Sequence, residues 1–194
     1  MGSIARDNLQ TSIDCFFEPD EEKELSVGVT EDTVNYLDRA IINKLVELRT
    51  LDMSPKDLNR VYHLTLVVQD IERISDHAEN IAEYALQLRT QKAALSEEAM
   101  EELRYLAKYS MESIDISLDV FEKEDYARIP DAEKLEQKVD WIEEDIISNH
   151  VRRLMNASCN PRGGVIFTDM ASDLERCSDH AINIATALSE HYGE

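Results

Sequence analysis

The chain has 194 residues, 43% of them hydrophobic, which is enough to bury a core in one domain or in two small lobes. Its 41 acidic and 20 basic residues give a formal net charge of −21, which excludes nucleic-acid binding driven by phosphate neutralisation. The longest apolar runs, such as LTLVV, are too short to cross a bilayer, and the amino-terminal residues lack the apolar segment of a signal peptide. These features predict a cytoplasmic protein without direct membrane insertion, whose acidic surface suits multivalent cations or basic partner surfaces.

Six helices are predicted along the chain. Glycine and proline number only five and four, and the apolar residues between them recur at intervals of three and four, which is typical of an all-α protein. The stretch EPDEEKELSVG is interpreted as the connection between the first two helices, with Thr30 capping the second. The predicted helices cover about 4–17, 30–48, 54–89, 96–123, a segment beginning at Pro130, and a segment from Asn160 to about Tyr192.

One acidic phrase occurs twice in the chain. DIERISDHAENIA occupies residues 70–82 and DLERCSDHAINIA occupies residues 173–185, and ten of the thirteen positions are identical. The preceding helices are also similar, because NYLDRAII at 35–42 aligns with DWIEEDII at 140–147. The repeat therefore predicts two tandem three-helix bundles, at 1–93 and 94–194, with a short first helix in the first bundle.

Each copy of the phrase places a row of polar side chains on one face of its helix. Apolar residues of the phrase, including Cys177, form a separate stripe that is predicted to be core. The polar row contains two carboxylates and an amide at four-residue spacing, so all three point the same way. The members of this row are Glu72, Asp76 and Asn80 in the first copy, and Glu175, Asp179 and Asn183 in the second.

Like charges at this spacing destabilise an isolated helix, and a bound cation would compensate for that cost. The preceding helix of the second unit offers a matching row, Glu136 and Asp140, whereas the first unit offers Glu31 and Asn35. Carboxylate oxygens from neighbouring helices suit Mg, Mn, Fe, Ca or Zn. The sequence thus predicts a metal site in each unit, with more negative charge in the second.

Two other interpretations of these residues stay open. The acidic rows are also consistent with a solvated face whose charges are balanced by neighbouring arginines. A metal-dependent enzyme or a metal-storage bundle would use the same carboxylates, although no Glu-x-x-His pair or nucleophile array is present. His77 and His180 lie away from the carboxylate rows, so they are predicted to be packing or hydrogen-bonding residues.

The paired phrases resemble the signature of the PhoU family, whose members are two tandem three-helix bundles with an E/D-x-x-x-D motif in each. This resemblance covers about residues 30–190. It implies a non-enzymatic regulator of phosphate uptake that holds iron, zinc or another divalent metal on the acidic motifs. The motif corresponds to Glu72 with Asp76, to Glu175 with Asp179, and to Glu136 with Asp140, whereas Asn35, Ser75 and Ser178 depart from the family pattern.

Within the family, the stretch NPRGGVIFTDMASDLERCSDHAINIA is most similar to the cytosolic PhoU-like domain of bacterial sodium/phosphate cotransporters. That resemblance implies a partner, either a phosphate transporter membrane domain or a transporter complex, at the inner face of the cell membrane. The sequence leaves open the metal, the oligomeric state, including a homo-oligomer, and the choice between a free-standing protein and a domain of a larger transporter.

Overall fold

The computed structural model describes residues 1–91, 93–156 and 159–189, and within them the chain is built from α-helices. The all-α prediction is confirmed. A short 3₁₀ turn, Tyr126–Arg128, precedes the fifth helix. The six helices are α1 Gly2–Phe17, α2 Glu21–Leu48, α3 Pro55–Thr90, α4 Glu97–Lys123, α5 Ile129–Met155 and α6 Pro161–Thr186.

The predicted N-cap of α2, Thr30, is wrong, because the N-cap is Asp20. The helix begins at Glu21, where the Asp20 side chain accepts hydrogen bonds from the backbone N–H groups of Glu22 and Lys23. Three glutamates in the first turn also favour the positive end of the helix dipole. Thr30 instead lies inside the helix, where its hydroxyl donates to the carbonyl of Ser26. The stretch interpreted as a connection is therefore mostly the first two turns of α2.

The other helix boundaries agree closely with the capping signals. Ser54, Ser96 and Asn160 each accept a hydrogen bond from a backbone N–H in the first turn of the helix that follows. The first helix is short as predicted, with 16 residues in α1 against 27 in α4. The predicted end of the last helix near Tyr192 lies outside the described residues, and the α-helical part of that segment ends at Thr186.

The helices pack in two groups that share one core. Helix α1 packs on α2 and α3, helices α4, α5 and α6 pack on one another, and α3 packs against α6. Most buried apolar side chains of both groups belong to one continuous cluster, which includes Leu9, Ile74, Leu106, Phe167 and Cys177, and two smaller clusters lie beside it. The two-bundle division at residue 93 stays a prediction, since the core runs from one group into the other.

The two copies of the acidic phrase meet where α3 crosses α6. His77 Nδ1 lies 3.0 Å from Asp173 Oδ1, and His180 Nδ1 lies 2.9 Å from Asp70 Oδ1. The two imidazole rings stack with their centroids 5.7 Å apart. Each copy therefore supplies a histidine to the aspartate of the other copy, and the predicted hydrogen-bonding role of both histidines is confirmed.

Close packing at the start of α6 makes Gly163 sensitive to substitution. A Cβ atom on Gly163 would lie 2.5 Å from the backbone carbonyl oxygen of Ala94, whereas a Cβ on Gly28 in α2 would meet nothing within 4 Å. We expect Gly163→Ala to lower the free energy of unfolding by about 1–3 kcal/mol, because the backbone must shift. Gly28→Ala should raise it by about 0.5–1 kcal/mol through helix propensity. Urea denaturation of the two variants tests this, and equal effects of the same sign would contradict it.

Candidate functional site

The second unit brings three of its four predicted carboxylates together. One side-chain oxygen from each of Glu136, Asp140 and Asp179 lies within 4.8 Å of the other two, at partly buried positions. Glu136 and Asp140 come from successive turns of α5, and Asp179 comes from α6. Three oxygens at this spacing from two helices are a suitable ligand set for a divalent cation.

Glu175 lies beside this group of three rather than within it. Burial, together with the charges of Asp179 and Asp140, raises the pKa of the Glu175 carboxyl to about 7. Burial is also the main cause of the raised pKa values of Glu136 and Asp140, and Asp179 adds like-charge repulsion to both. The site therefore concentrates more negative charge than the surrounding protein compensates.

One oxygen atom of the second site has no hydrogen-bond donor among the described residues. Asp140 Oδ1 is fully shielded from solvent and accepts no hydrogen bond from any residue that the structure describes. A buried carboxylate oxygen without a donor is costly, because it has lost water and gained no partner. A metal ion held among the three oxygens would satisfy it. This atom is the observation that distinguishes the site from an ordinary acidic surface.

The first unit has a related but weaker arrangement. Glu31 is buried, and its carboxylate accepts a hydrogen bond from the side-chain amide of Asn35. Burial and the charges of Glu79 and Asp76 raise the Glu31 pKa. The pKa values of Glu72 and Asp76 are raised in the same way, mainly by burial. The hydrogen bond from Asn35 therefore offsets part of the burial cost of the Glu31 carboxylate, which a cation would otherwise offset.

Two carboxylates that the sequence analysis did not select belong to these sites. Asp38 on α2 raises the pKa values of Glu72 and Asp76, and Glu143 on α5 raises that of Glu175. Both lie one turn beyond the residues that were predicted, and they occupy equivalent positions in the aligned stretches NYLDRAII and DWIEEDII. An acidic residue at this position in both repeats could have identified them, but the sites were selected by four-residue spacing, and these residues lie three positions after Asn35 and Asp140.

The Glu175 carboxyl should make the stability of the metal-free chain depend on pH near neutrality. Because its folded-state pKa of about 7 lies above the ordinary value of 4.5, the folded state retains a proton that the unfolded chain releases between these values. Burying the ionised carboxylate lowers the free energy of unfolding, and this destabilisation is fully present above pH 7. As the pH falls from 7 toward 4.5, the carboxyl takes up a proton and the free energy of unfolding rises. Glu175→Gln removes that cost at every pH.

We expect the melting temperature of Glu175→Gln in chelator to exceed that of the wild type by about 2–4 °C at pH 8, which corresponds to roughly 1 kcal/mol after discounting for solvent screening. The difference should largely vanish at pH 5. Thermal scans across this range measure it, with the exposed Glu101→Gln as control. A difference that stays constant from pH 5 to 8 would contradict the assignment.

The fold and the sites together define a class, a duplicated six-helix protein with one carboxylate site in each half. The PhoU domain family model matches this chain over residues 1–85 and 103–188. The chain therefore belongs to the PhoU family, and the family resemblance inferred from the paired phrases is confirmed.

Similar proteins match over most of the chain. The phosphate-specific transport system accessory protein PhoU homologue of Xylella fastidiosa is 25% identical over 95% of this chain and 76% of its own length. The Synechocystis homologue of the same name is 26% identical over 97% of this chain and 83% of its own length. These relatives are named as accessory proteins and not as enzymes, in agreement with the predicted non-enzymatic class.

Solved structures confirm the fold. The crystal structure of PhoU from Pseudomonas aeruginosa aligns with a TM-score of 0.90 at 22% identity, covering all of this chain and 93% of that one. The phosphate transport system regulatory protein PhoU from Streptococcus pneumoniae aligns with a TM-score of 0.86 at 21% identity, covering all of this chain and 90% of that one. In the part of the chain that the structure describes, no helix has both the length and the hydropathy to span a membrane.

Proposed function

We propose that this chain is a regulatory accessory protein of phosphate transport whose activity depends on divalent cations bound at the two carboxylate sites. Family membership and the names of the relatives support the transport role. The buried, unpartnered Asp140 Oδ1 among three converging carboxylate oxygens is the observation that supports the metal-dependent part. Iron, zinc and manganese are the metals to test first, because carboxylate sites accept all three.

The partner in this proposal is the cytosolic face of a phosphate transporter. Cytoplasmic loops of membrane proteins are enriched in lysine and arginine, and this chain has a net charge of −21. The association should weaken as salt rises, because exposed charge pairs are screened over about 8–10 Å near physiological ionic strength. A domain of a sodium/phosphate cotransporter is the narrower form of this proposal, and the genomic reading frame upstream of residue 1 tests it.

Complementation of a strain that lacks the gene tests the proposed function. Wild type, Asp140→Asn with Asp179→Asn, and the control Glu101→Gln are expressed at equal levels, and phosphate uptake is measured during starvation and after phosphate addition. We expect wild type and control to restore regulated uptake and the double variant to fail. Equal uptake by all three strains and the uncomplemented strain, in both conditions, would overturn the proposal.

The alternative role, a metal-storage bundle or metal-dependent enzyme, predicts a different stoichiometry. Two carboxylate sites have room for a few ions per chain, whereas storage requires uptake far beyond the number of sites. Metal analysis after loading with excess Mn²⁺ or Fe²⁺ separates the two. A metal content that saturates at a few ions per chain, without turnover, supports the regulatory role.

A further inference from the structure

A polar groove runs between α3 and α6, between the two carboxylate sites. Its volume is about 810 Å³, and both copies of the acidic phrase line it. Each copy supplies an arginine, a histidine and an asparagine, together with at least one carboxylate. The matching pairs are Arg73 with Arg176, His77 with His180, and Asn80 with Asn183.

The two arginines are the guanidinium groups that line the groove. Both are exposed, and neither donates a hydrogen bond or forms an ion pair within 4 Å to a residue in the described ranges. By contrast, Arg6, Arg89 and Arg128 all form ion pairs with acidic side chains. Arg73 and Arg176 thus keep their full set of donors available to a ligand in the groove.

The histidines add a different hydrogen-bonding capacity. Because Nδ1 of each ring donates to the aspartate of the other copy, Nε2 of the neutral ring is an acceptor. No described residue hydrogen-bonds to either Nε2. The carboxylates of Asp76 and Asp179 in the lining are acceptors too. The groove therefore combines guanidinium and amide donors with several acceptors.

We infer that this groove binds phosphate groups in their protonated form, one in each half. Guanidinium groups bind phosphate and carboxylate oxygens in bidentate geometry, so the two arginines select an oxyanion. Hydrogen phosphate also carries an O–H donor, which matches the imidazole and carboxylate acceptors. Sulfate has no proton to donate at neutral pH and would leave those acceptors facing an anion. The donor and acceptor pattern thus favours hydrogen phosphate over sulfate.

The inference rests on the proposed function in one respect. Glu72, Asp76, Glu79 and Asp179 also line the groove, and their negative charge opposes an anion. Cations at the adjacent carboxylate sites would offset that repulsion, so metal and phosphate should strengthen each other's binding by the same factor. The two ligands would then be sensed together.

Equilibrium dialysis of the full chain with radiolabelled inorganic phosphate tests the inference, with and without Mn²⁺. We expect phosphate binding to be at least about 10-fold tighter with Mn²⁺ and sulfate to compete at least about 10-fold more weakly than phosphate. Arg73→Gln with Arg176→Gln should weaken phosphate binding about 10-fold or more. The control Arg49→Gln with Arg162→Gln, at exposed positions away from the groove, should bind as the wild type does.

Further measurements distinguish inorganic phosphate from a diphosphate ligand, and the groove inference from the metal-site proposal. Two phosphates per chain identify the free ion, and one pyrophosphate per chain bound more tightly identifies a diphosphate ligand. If the glutamine variant does not fold, Arg73→Lys with Arg176→Lys keeps the charge and removes the bidentate geometry, so weaker binding is still expected. Phosphate binding that is unaffected in the arginine variants, or equal for sulfate, would overturn the groove inference. If calorimetry shows that the wild-type protein does not bind Mn²⁺, the proposed metal sites would be wrong instead.

Discussion

Replacing Asp140 with asparagine is expected to lower the Mn²⁺ affinity of the second site about 100-fold, the upper end of the losses seen when groups around a bound metal are changed. The substitution removes one of three converging carboxylates and leaves a neutral amide at a partly buried position. Isothermal titration calorimetry of the purified protein, after removal of metal by chelator, measures the change. Retained affinity in Asp140→Asn would show that the three oxygens do not hold the ion.

The first unit provides a matched variant in the opposite direction. Asn35 occupies the position that Asp140 occupies in the second unit, and its amide donates to Glu31. We expect Asn35→Asp to strengthen Mn²⁺ binding in the first unit about 10-fold, because a third carboxylate adds Coulomb attraction. Glu72→Gln with Asp76→Asn should remove less metal from the wild type than Glu175→Gln with Asp179→Asn. Equal losses from these two double variants would contradict the asymmetry.

Replacing Asp173 with alanine is expected to cost about 3 kcal/mol of unfolding free energy, or roughly 6–12 °C in melting temperature for a chain of this size. Asp173 accepts from His77 and from the Tyr84 hydroxyl, the latter at 2.8 Å. Burial and the hydrogen bond to Asp173 raise the pKa of Tyr84. The variant would leave both partly buried donors without an acceptor.

Asp70→Ala is the matched control for this contact. Among the described residues, Asp70 accepts only from His180. Ala187 occupies the repeat position equivalent to Tyr84, so Asp70 has no second donor of that kind. The Asp70 side chain is 17% exposed, against 10% for Asp173. We expect a loss of about 1 kcal/mol. Urea denaturation of both variants gives the comparison, and a larger loss for Asp70→Ala would contradict the interpretation of the contact.

Much of the fold was predictable because the repeat and the caps are local signals. Ser54, Ser96 and Asn160 cap their helices as their spacing indicates. The start of α2 was missed because Thr30 and Gly28 resemble a helix start, whereas Asp20 with its following glutamates is the stronger cap. A chain can contain more than one candidate N-cap for the same helix. Val27 lies between Asp20 and Thr30 and is buried, and only a helix capped by Asp20 includes it.

The candidate sites were predictable by residue type and only partly by geometry. Helical spacing placed Glu136 and Asp140 on one face, and the packing of α5 on α6 brought Asp179 to them. The same spacing could not show that Glu175 lies beside the group, or that Glu143 and Asp38 belong to the sites. Those positions depend on how the helices rotate against each other, which interhelical packing decides and a single-helix pattern does not contain.

The crossed histidine–aspartate contacts also have an evolutionary consequence. Each copy of the phrase contains both an aspartate and a histidine, and each pairs with its counterpart in the other copy. A contact in which the same patch is used reciprocally by both members is the isologous interface of a twofold homodimer. A chain half as long would carry both partners of this contact, the aspartate and the histidine. Duplication and fusion of a gene for such a dimer would keep this contact and allow the two halves to differ elsewhere, as they do at Asn35 and Asp140.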